Sequence, residues 1–592
     1  MPGISLIKSR ELTNSHLDSI KEFQSSLKQI LPHISCEILF HNDDTIIHQT
    51  TYRNYEFYYQ QSGNWLITFE GRKDDVDFGS MVESLNLFNS RDISTKALQE
   101  WRDKTFNLCK TDFFFLACNL ETGTVVFAND DLARMPVYFF HQKGTFIISR
   151  EYPLVRNLNK ELTPDRLLLA LYLLFKYIPG QGTPYKEIRT LDNSSIGVYH
   201  PASDSLTLIS DISRRMPLES FNGDRKQRLN DLKDSFVSAT DECLGDRRGL
   251  LAFSGGHDSR CVAAALKLTQ KPFISATFVN DDISSRNDMK CARQLAEILN
   301  MEHKVLNLAP EDETHYRSLY TLKNGLNFMS VVFMLNFLQK LRKEFDEDYV
   351  LFTGDGGDRI MQPLFPSQLK LKEDNILPYL FAKQALFDKE YVAHLFDITS
   401  ADIDNYLINL LHSYPVSDWT NKYLFFILAE NAGKWSFEGE DRNRYYYQTK
   451  TPFYNFDFYK LAVSIPLSWK DNGVFYWQFM ETLNPDILKV PIAGNKLSPD
   501  TWNYLLLKRI KNFLRNFSFL INLKKLIAKP QPTSVSTINL VQQRIEILSQ
   551  HKNIKEFIPN FNTTEFYNKN NEFSRAHFTN LYTVLTMITD QC

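Results

Sequence analysis

Two short glycine-rich segments carry the residues of this chain that are best suited to chemistry. The first, "FSGGHDSR" at 253–260, places Ser254, Gly255 and Gly256 between an apolar run and an amphipathic one. Glycines let a turn point its N–H groups inward, and the N-terminus of a following helix adds partial positive charge. The segment is therefore predicted to bind phosphate. It is not a Walker loop, because it contains no lysine.

The second segment, "FTGDGGDRI" at 352–360, also follows an apolar run and contains Asp355 and Asp358. If both runs are neighbouring parallel strands, their turns meet at one edge of the sheet, where ligands bind in open α/β folds. One turn then supplies N–H donors, and the other supplies carboxylates of the kind that Mg²⁺ prefers. Alternatively, the aspartates could be present only because Asp is common in turns. This alternative is less favoured, because one glycine turn contains two acids and the chain also contains the first glycine loop.

The surrounding sequence predicts the elements that position these segments. From residue 249 onward, short apolar runs alternate with amphipathic stretches, as in a parallel sheet with helical crossovers. Residues 1–160 alternate aromatic or β-branched residues with polar ones, which predicts stacked antiparallel sheets. Between them, "TPDRLLLALYLLF" predicts a helix with Thr163 as its N-cap and Pro164 at its first position. After residue 360 the pattern is mostly helical.

Composition excludes several classes of protein. The 592 residues, 43% of them hydrophobic, suffice for two or three domains, and a formal net charge of −3 gives no reason to expect nucleic acid. The 7 cysteines include no C-x-x-C pair and the 13 histidines no clustered ligand spacing, which disfavours a zinc site and favours a reducing compartment. No apolar run is long enough for a transmembrane segment, so the expected location is cytoplasmic.

Together, the two segments resemble the asparagine synthetase family of the PP-loop ATP pyrophosphatase superfamily. S-G-G-x-D-S is that superfamily's pyrophosphate loop, and "TGDGGD" is similar to the family's second motif, S-G-[ED]-G-x-D-E. Looser similarities at 177–191 and 441–470 extend the resemblance over nearly the whole chain. It implies a degenerate glutamine amidotransferase-like domain at 1–205, with α+β stacked antiparallel sheets of the Ntn-hydrolase type. An α/β parallel-sheet PP-loop synthetase domain with extra helices is implied at 206–592.

The resemblance implies an ATP-dependent, AMP-forming amide-bond ligase that uses ATP and Mg²⁺. A carboxylate would attack the α-phosphate, pyrophosphate would leave, and an amine would displace AMP from the acyl-adenylate. Asp355 is implied as the catalytic base, and Asp258 and Asp358 as the metal ligands. The residues implied to bind ATP or pyrophosphate are Ser254, Gly255, Gly256, Asp258, Ser259, Thr353, Gly354 and Asp358.

Several positions depart from the family pattern. Arg359 replaces the acid that ends the second motif. Gln448, Lys450 and Asn455 stand where the family has two acids and an arginine on the acyl side, which implies an acyl substrate other than aspartate.

The family's catalytic lysine, which neutralises charge on the α-phosphate, has no clean match here. Lys496 is the first candidate and Lys489 the second, and a solvated lysine is an equal alternative. The nearby stretch 508–529 is basic and amphipathic. A packed helix with a solvated basic face is favoured there over a membrane surface or an acidic partner.

The amino-terminal residues resemble the family's glutaminase without its chemistry. "MPGISLI" lines up with M-C-G-I-x-G-I, so Pro2 replaces the nucleophilic cysteine. The oxyanion-binding F-N-G-E reads "FEGR", so an anion at Glu70, beside Gly71, would repel a developing oxyanion. The H-R-G-P-D segment that holds glutamine is missing. These losses predict a domain that keeps its fold and does not hydrolyse glutamine.

The implied partners are a carboxylate substrate and an amine donor, either ammonia or an amine of a small molecule or peptide, with no nucleic acid. Lactam synthetases and lasso-peptide macrolactam cyclases share a cysteine-less first domain, so an intramolecular amide is one option. Amidation of aspartate or a sugar acid, and a non-catalytic nucleotide-binding or partner-binding relative, are alternatives. A PP-loop tRNA-modifying enzyme is disfavoured by the lack of paired cysteines and of a basic domain. The oligomeric state stays open.

Overall fold

The computed structural model of the chain describes residues 2–89, 93–159, 161–216, 220–493, 535–568 and 573–590. In chain order, the elements of the first part are β1 Gly3–Ser9, α1 Asn14–Ile30, β2 Ser35–His41, β3 Thr45–Thr51, β4 Phe57–Ser62, β5 Trp65–Glu70, α2 Phe78–Ser84, α3 Thr95–Thr105, β6 Phe114–Asn119, β7 Val125–Asn129, β8 Tyr138–Gln142, β9 Thr145–Ser149, α4 Tyr152–Leu158, α5 Arg166–Phe175, β10 Ile188–Thr190, β11 Ser195–His200 and β12 Ser205–Ser210.

The strands of this first part form two six-stranded antiparallel sheets, ordered β10-β8-β9-β1-β3-β2 and β12-β11-β7-β6-β5-β4. The sheets stack face to face, because Ile4 and Leu6 of β1 share one buried cluster with Leu66 of β5 and Leu116 of β6. The prediction of stacked antiparallel sheets is confirmed. Since the second sheet includes β12, we propose a domain boundary after Ser210 rather than after residue 205.

Helix α5 begins two residues later than the sequence predicts. The predicted N-cap at Thr163 is wrong, because the helix begins at Arg166 and the Asp165 carboxylate accepts a hydrogen bond from the N–H of Leu168 at 3.1 Å. Pro164 instead forms a β-bridge with Tyr185, which keeps it extended. Either residue could cap a helix, and the tertiary pairing selects Asp165.

The second part continues with a parallel sheet and a long helical region. Its elements are α6 Arg225–Leu244, β13 Arg248–Ala252, α7 His257–Leu268, β14 Phe273–Val279, α8 Ile283–Ile298, β15 His303–Asn307, α9 Glu313–Lys323, α10 Phe333–Glu344, β16 Tyr349–Phe352, α11 Gly357–Ile360, α12 Glu373–Gln384, α13 Lys389–Phe396, α14 Ser400–Ser413, α15 Trp419–Phe426, a π-helix Ile427–Ser436, α16 Phe437–Asn443, β17 Gln448–Lys450, α17 Phe456–Val463, α18 Leu467–Lys470, α19 Val474–Leu483, and the helices Val535–Ser549, Lys552–Phe557, Thr563–Asn568 and Arg575–Thr589.

The five parallel strands have the order β15-β14-β13-β16-β17. The strands that precede the two glycine segments, β13 and β16, are direct neighbours, with Gly249 opposite Val350 and Leu251 opposite Phe352. Their carboxyl-terminal turns therefore lie side by side, as expected if the two strands are neighbours in a parallel sheet. Over the described ranges, no helix is both long and apolar enough to cross a membrane.

Lys470, at the end of α18, ties the short helix α11 to the helical region. Its ammonium donates hydrogen bonds to the carbonyl of Ile360 at 2.5 Å and to that of Ala462 at 2.9 Å. No carboxylate of the described residues forms an ion pair with it, and burial lowers the pKa of Lys470 to about 7. The native protein therefore binds a proton here less readily than the unfolded chain, in which the lysine pKa is about 10.4.

We expect this lysine to make stability depend on pH. Between about pH 7 and 10 the unfolded chain binds more protons, so the free energy of unfolding should gain up to about 1.4 kcal/mol per pH unit from Lys470. Lys470→Met should remove that gain, so the stability of the variant relative to wild type should be greatest at pH 7 and shrink towards pH 10. Denaturant unfolding across this range checks it, with the half-exposed Lys460→Met as control. Parallel curves for wild type and Lys470→Met would contradict the expectation.

Candidate active site

The first glycine segment forms the turn between β13 and α7. Helix α7 begins at His257, directly after Gly256. The Ser254 hydroxyl accepts a hydrogen bond from the N–H of Gly256 at 3.2 Å, and the N–H of Gly255 donates to Asp288 of α8 at 3.1 Å. The N-terminus of a helix of this length, directly after a glycine turn, can hold phosphate.

The second glycine segment packs directly on the first. The N–H of Asp358 donates a hydrogen bond to Oδ2 of Asp258 at 3.1 Å. A Cβ atom at Gly354 would lie 2.8 Å from the nitrogen of Ser259, and one at Gly357 would lie 2.6 Å from Cγ of Asp258. Only glycine allows so close an approach at these two positions. The structure therefore brings the two predicted segments together.

Asp258 and Asp358 place two carboxyl groups at this contact. Burial, followed by the nearby charge of Asp358, raises the pKa of Asp258 to about 7, even though the Tyr476 hydroxyl donates to its Oδ1 at 2.6 Å. Asp358 also forms an ion pair with Arg359 at 3.2 Å. A like-charged pair is relieved by a cation, and carboxylate oxygens are suitable ligands for Mg²⁺. The donor set therefore fits this metal.

Asp355 lies in the same turn and presents its side chain to an open cleft rather than to the core. Desolvation by the surrounding protein raises its pKa, whereas the Thr353 hydroxyl and Arg442 act in the opposite direction. Its carbonyl oxygen accepts a hydrogen bond from the Thr451 hydroxyl at 2.8 Å, which helps to fix the backbone. An accessible carboxylate with a raised pKa suits a proton acceptor.

The cleft has a volume of about 400 Å³ and runs from the glycine segments to the π-helix and α16. Its lining includes most residues that the sequence assigned to ATP, together with Asp355. The cleft also has a wall opposite the glycine segments, whose residues belong to no local sequence motif and were not predicted. That wall comprises Phe278, Asn327, Phe328, Val331, Phe333, Met334, Phe337, Trp435, Ser436, Gly439, Arg442 and Asn443.

Of the two candidates for the catalytic lysine, the structure describes Lys489 but not Lys496. Lys496 lies outside the described residues, as does the basic stretch 508–529, so both stay predictions. Lys489 has a 63% exposed side chain and forms an ion pair with Asp486 at 2.5 Å, away from the residues that line the cleft. The chain before Lys496 does reach the phosphate turn, because Ala493 packs against Gly255.

The expectation that Gln448, Lys450 and Asn455 face the acyl substrate is wrong. None of them lines the cleft. Gln448 and Lys450 contact Glu56 of the first part at 2.9 and 3.0 Å, and Asn455 donates to Glu242 at 3.0 Å. Because these side chains satisfy acids elsewhere, their departure from the family pattern says nothing about the acyl substrate.

In the first part, the side chains of Arg150 and Glu70 pack closely against Gly3, the residue after Pro2. A Cβ atom at Gly3 would lie 2.7 Å from Cβ of Arg150 and 2.8 Å from Oε2 of Glu70. Arg150 forms an ion pair with Glu70 at 3.2 Å, and the Tyr55 hydroxyl donates to the same carboxylate. Glu70 is thus a buried, paired anion.

The ion pair continues into a buried network between the two parts of the chain. Arg150 also contacts Asp441 of α16 at 2.6 Å, and Asp441 contacts Lys323 at 2.9 Å. Around Asp112, whose pKa is held well below its usual range by three cations despite burial, further pairs form. They are Arg134–Asp112 at 3.4 Å, Arg134–Glu440 at 2.8 Å, Arg444–Asp112 at 2.9 Å and Lys450–Asp112 at 3.1 Å.

Glu70→Gln should reveal how much this network contributes to stability. Removing one partner leaves the buried Arg150 guanidinium without part of its countercharge, which we expect to lower the free energy of unfolding by about 3 kcal/mol. Denaturant unfolding checks this, with the exposed Glu22→Gln as a matched control expected to change little. Equal stability of Glu70→Gln and wild type would mean that Asp441 alone neutralises Arg150.

Comparison with known proteins matches residues 231–410, which include both glycine segments, to the asparagine synthase family model. No curated protein sequence matches the chain significantly. Among solved structures, NMN synthetase from Francisella tularensis is 15% identical, covers 35% of this chain and 93% of its own, and has a TM-score of 0.19. Glutamine phosphoribosylpyrophosphate amidotransferase from B. subtilis, in complex with ADP and GMP, is 9% identical and has a TM-score of 0.20. The match covers 70% of this chain and 94% of the amidotransferase chain.

Proposed function

We propose that this chain, which carries an asparagine synthase domain at residues 231–410 and so an ATP-dependent ligase module, joins a carboxylate to an amine through an acyl-adenylate. The observation that carries the proposal is the contact between the two glycine turns at the ends of β13 and β16. It brings the N-terminus of α7, the neighbouring carboxyl groups of Asp258 and Asp358 and the accessible Asp355 together, and Asp258 and Asp355 line the cleft.

In the first step, a carboxylate oxygen of the substrate attacks the α-phosphorus of ATP, and the bond to the bridging oxygen breaks, so that pyrophosphate leaves. The N-terminus of α7 and the hydroxyl groups of Ser254 and Ser259, which line the cleft, would hold the departing phosphates. Asp258 and Asp358 would hold Mg²⁺, which supplies positive charge against the phosphate oxygens when bound.

In the second step, the amine nitrogen attacks the acyl carbon and AMP leaves with the bonding electrons. The attacking nitrogen must lose a proton, and the Asp355 carboxylate is the accessible acceptor in the cleft. Because its pKa is raised, the Asp355 carboxylate is a stronger base than an ordinary aspartate, which suits proton transfer near neutral pH.

The amine does not come from glutamine on this proposal. Pro2 supplies no thiolate, and Arg150 and Glu70 fill the adjacent space. The charged network around Asp441 and Glu440 then occupies the region between the first part and the cleft. Free ammonia or a substrate amine must therefore enter through the cleft, and a substrate that carries both groups would give a lactam or macrolactam.

ATP–pyrophosphate exchange with a panel of carboxylates tests the proposal, with glutamine hydrolysis measured in parallel. We expect exchange with at least one carboxylate and no hydrolysis of glutamine. The ion pair between Arg359 and Asp358 favours a second candidate, a nucleotide-binding protein without catalysis. ATP binding without exchange for any carboxylate would establish that candidate and reject the ligase.

A further inference from the structure

Among the described residues that line the cleft, Arg442 of α16 is the one cation. The residue is only 4% exposed. The guanidinium donates from Nη1 to the Asn327 side chain at 3.3 Å, and from Nε and Nη2 to the Asn443 side chain at 3.3 and 2.9 Å. A guanidinium has five N–H groups, so these bonds leave two donors for a ligand.

Arg442 differs from its buried neighbours because it forms no ion pair within the described residues. Arg134, Arg150 and Arg444 each form ion pairs with buried carboxylates. No carboxylate of the described part of the chain forms an ion pair with Arg442, and burial lowers its pKa to about 10. A buried charge without a partner is costly, and an anionic ligand would remove that cost.

The preceding residue holds Arg442 in this orientation. Asp441 is fixed by Arg150 at 2.6 Å and by Lys323 at 2.9 Å. Successive residues on a helix point about 100° apart, so anchoring Asp441 in the network turns Arg442 towards the cleft. Gly439 lies on the same side, where an added Cβ would approach the guanidinium to 3.8 Å, and its lack of a side chain leaves room for a ligand.

Arg442 belongs to the acyl end of the cleft rather than to the phosphate end. The residues that hold its guanidinium, Asn327 and Asn443, also line the cleft, and neither belongs to the two glycine turns. Asp355 lines the same cleft and is the carboxylate whose charge acts on Arg442. A base for the second step must lie near the acyl carbon, and Arg442 is the cation on that side.

We propose that Arg442 is the receptor for the carboxylate of the acyl substrate, held by two charge-assisted N–H···O bonds. The inference rests on the proposed ligase function. The cleft that Arg442 lines also contains the apolar side chains of Phe328 and Trp435. The substrate class is therefore a carboxylate on an apolar body.

Arg442→Gln tests the assignment in the exchange assay. We expect the KM for the carboxylate to rise about 10- to 100-fold, as for the loss of hydrogen bonds to a charged group. The KM for ATP, and the Kd of ATP measured without carboxylate, should change less than twofold. The same substitution at Arg214, which pairs with Asp103 and Asp131 outside the cleft, is the matched control and should change neither.

The other results overturn the assignment. A matching loss of ATP affinity would show that Arg442 serves a phosphate, and an unchanged KM for the carboxylate would show that it serves neither. A preference for aspartate over apolar monocarboxylates would reject the substrate class. If wild type exchanges with no carboxylate, the proposed function itself fails, together with this inference.

Two further variants guard against misfolding of Arg442→Gln. Arg442→Lys keeps the charge, so its KM for the carboxylate should lie between the KM of wild type and that of Arg442→Gln. Arg442→Ala leaves a space beside Gly439, and guanidinium added at millimolar concentration should restore exchange in part. Absence of any rescue in a folded Arg442→Ala protein, together with a wild-type KM for Arg442→Lys, would reject the receptor role.

Discussion

Asp258→Asn is expected to lower ATP–pyrophosphate exchange by about a thousandfold or more. Asp258 lies in the first turn of α7, the helix that follows the phosphate turn, and accepts hydrogen bonds from the N–H of Asp358 and from the hydroxyl of Tyr476. The amide can still accept a hydrogen bond but carries no charge, so the metal loses one of its two carboxylates. Charge stabilisation by a metal contributes several kcal/mol at a phosphoryl group, which corresponds to at least three orders of magnitude in rate.

Stability distinguishes this loss from misfolding. The pKa of Asp258 is raised to about 7 because burial and Asp358 oppose its charge, so the native fold does not gain from ionising this group. The variant should therefore unfold at the same denaturant concentration as wild type, or at a higher one.

Tyr476→Phe is the matched control, because it removes a hydrogen bond from the same carboxylate but leaves the charge. We expect it to lower exchange by about tenfold at most. Exchange that survives in Asp258→Asn but fails in Tyr476→Phe would contradict a metal-binding role for Asp258.

The part of the site formed by the two glycine segments could be predicted from sequence, because the residues that form it are close together in the chain. A strand, a glycine turn and a helix follow each other within about a dozen residues, and the turn fixes where the N–H groups and carboxylates point. The repeated strand–helix pattern predicts the parallel sheet, whereas the pairing of β13 with β16, which are separated in the chain by β14 and β15, was assumed from the two motifs. Ser254, Asp258 and Asp355 were assigned to one cleft on this basis, and all three line it.

The opposite wall could not be predicted, because its residues come together only through tertiary packing. Arg442 is read in sequence as one charge in "EDRNR", and nothing local shows that Asp441 turns away from it towards Arg150. Gln448 and Lys450 were misassigned for the same reason, since their acid partner, Glu56, is almost 400 residues away in the chain. Charge pairing over such separations leaves no periodic pattern.

Asp355→Asn is expected to separate the two steps of the reaction. Amide formation should fall by about 10²- to 10⁴-fold, the usual contribution of a general base, because the attacking amine loses its proton acceptor. Exchange, which reports only the first step, should stay within a few-fold of wild type, since Asp258 and Asp358 are untouched. Exchange and product formation are measured on the same preparation, with the half-exposed Asp457→Asn as the matched control.

A nucleophile that needs no base should bypass the defect. Hydroxylamine is largely unprotonated at neutral pH, so the variant should still convert its acyl-adenylate to the hydroxamate at a rate close to that of wild type. The pH dependence should agree: desolvation by the surrounding protein raises the pKa of Asp355, so amide formation by wild type should increase as the pH rises through that pKa, and Asp355→Asn should lose this step. If exchange falls as far as amide formation, Asp355 acts with the metal ligands in the first step, and the proton must be taken by another group.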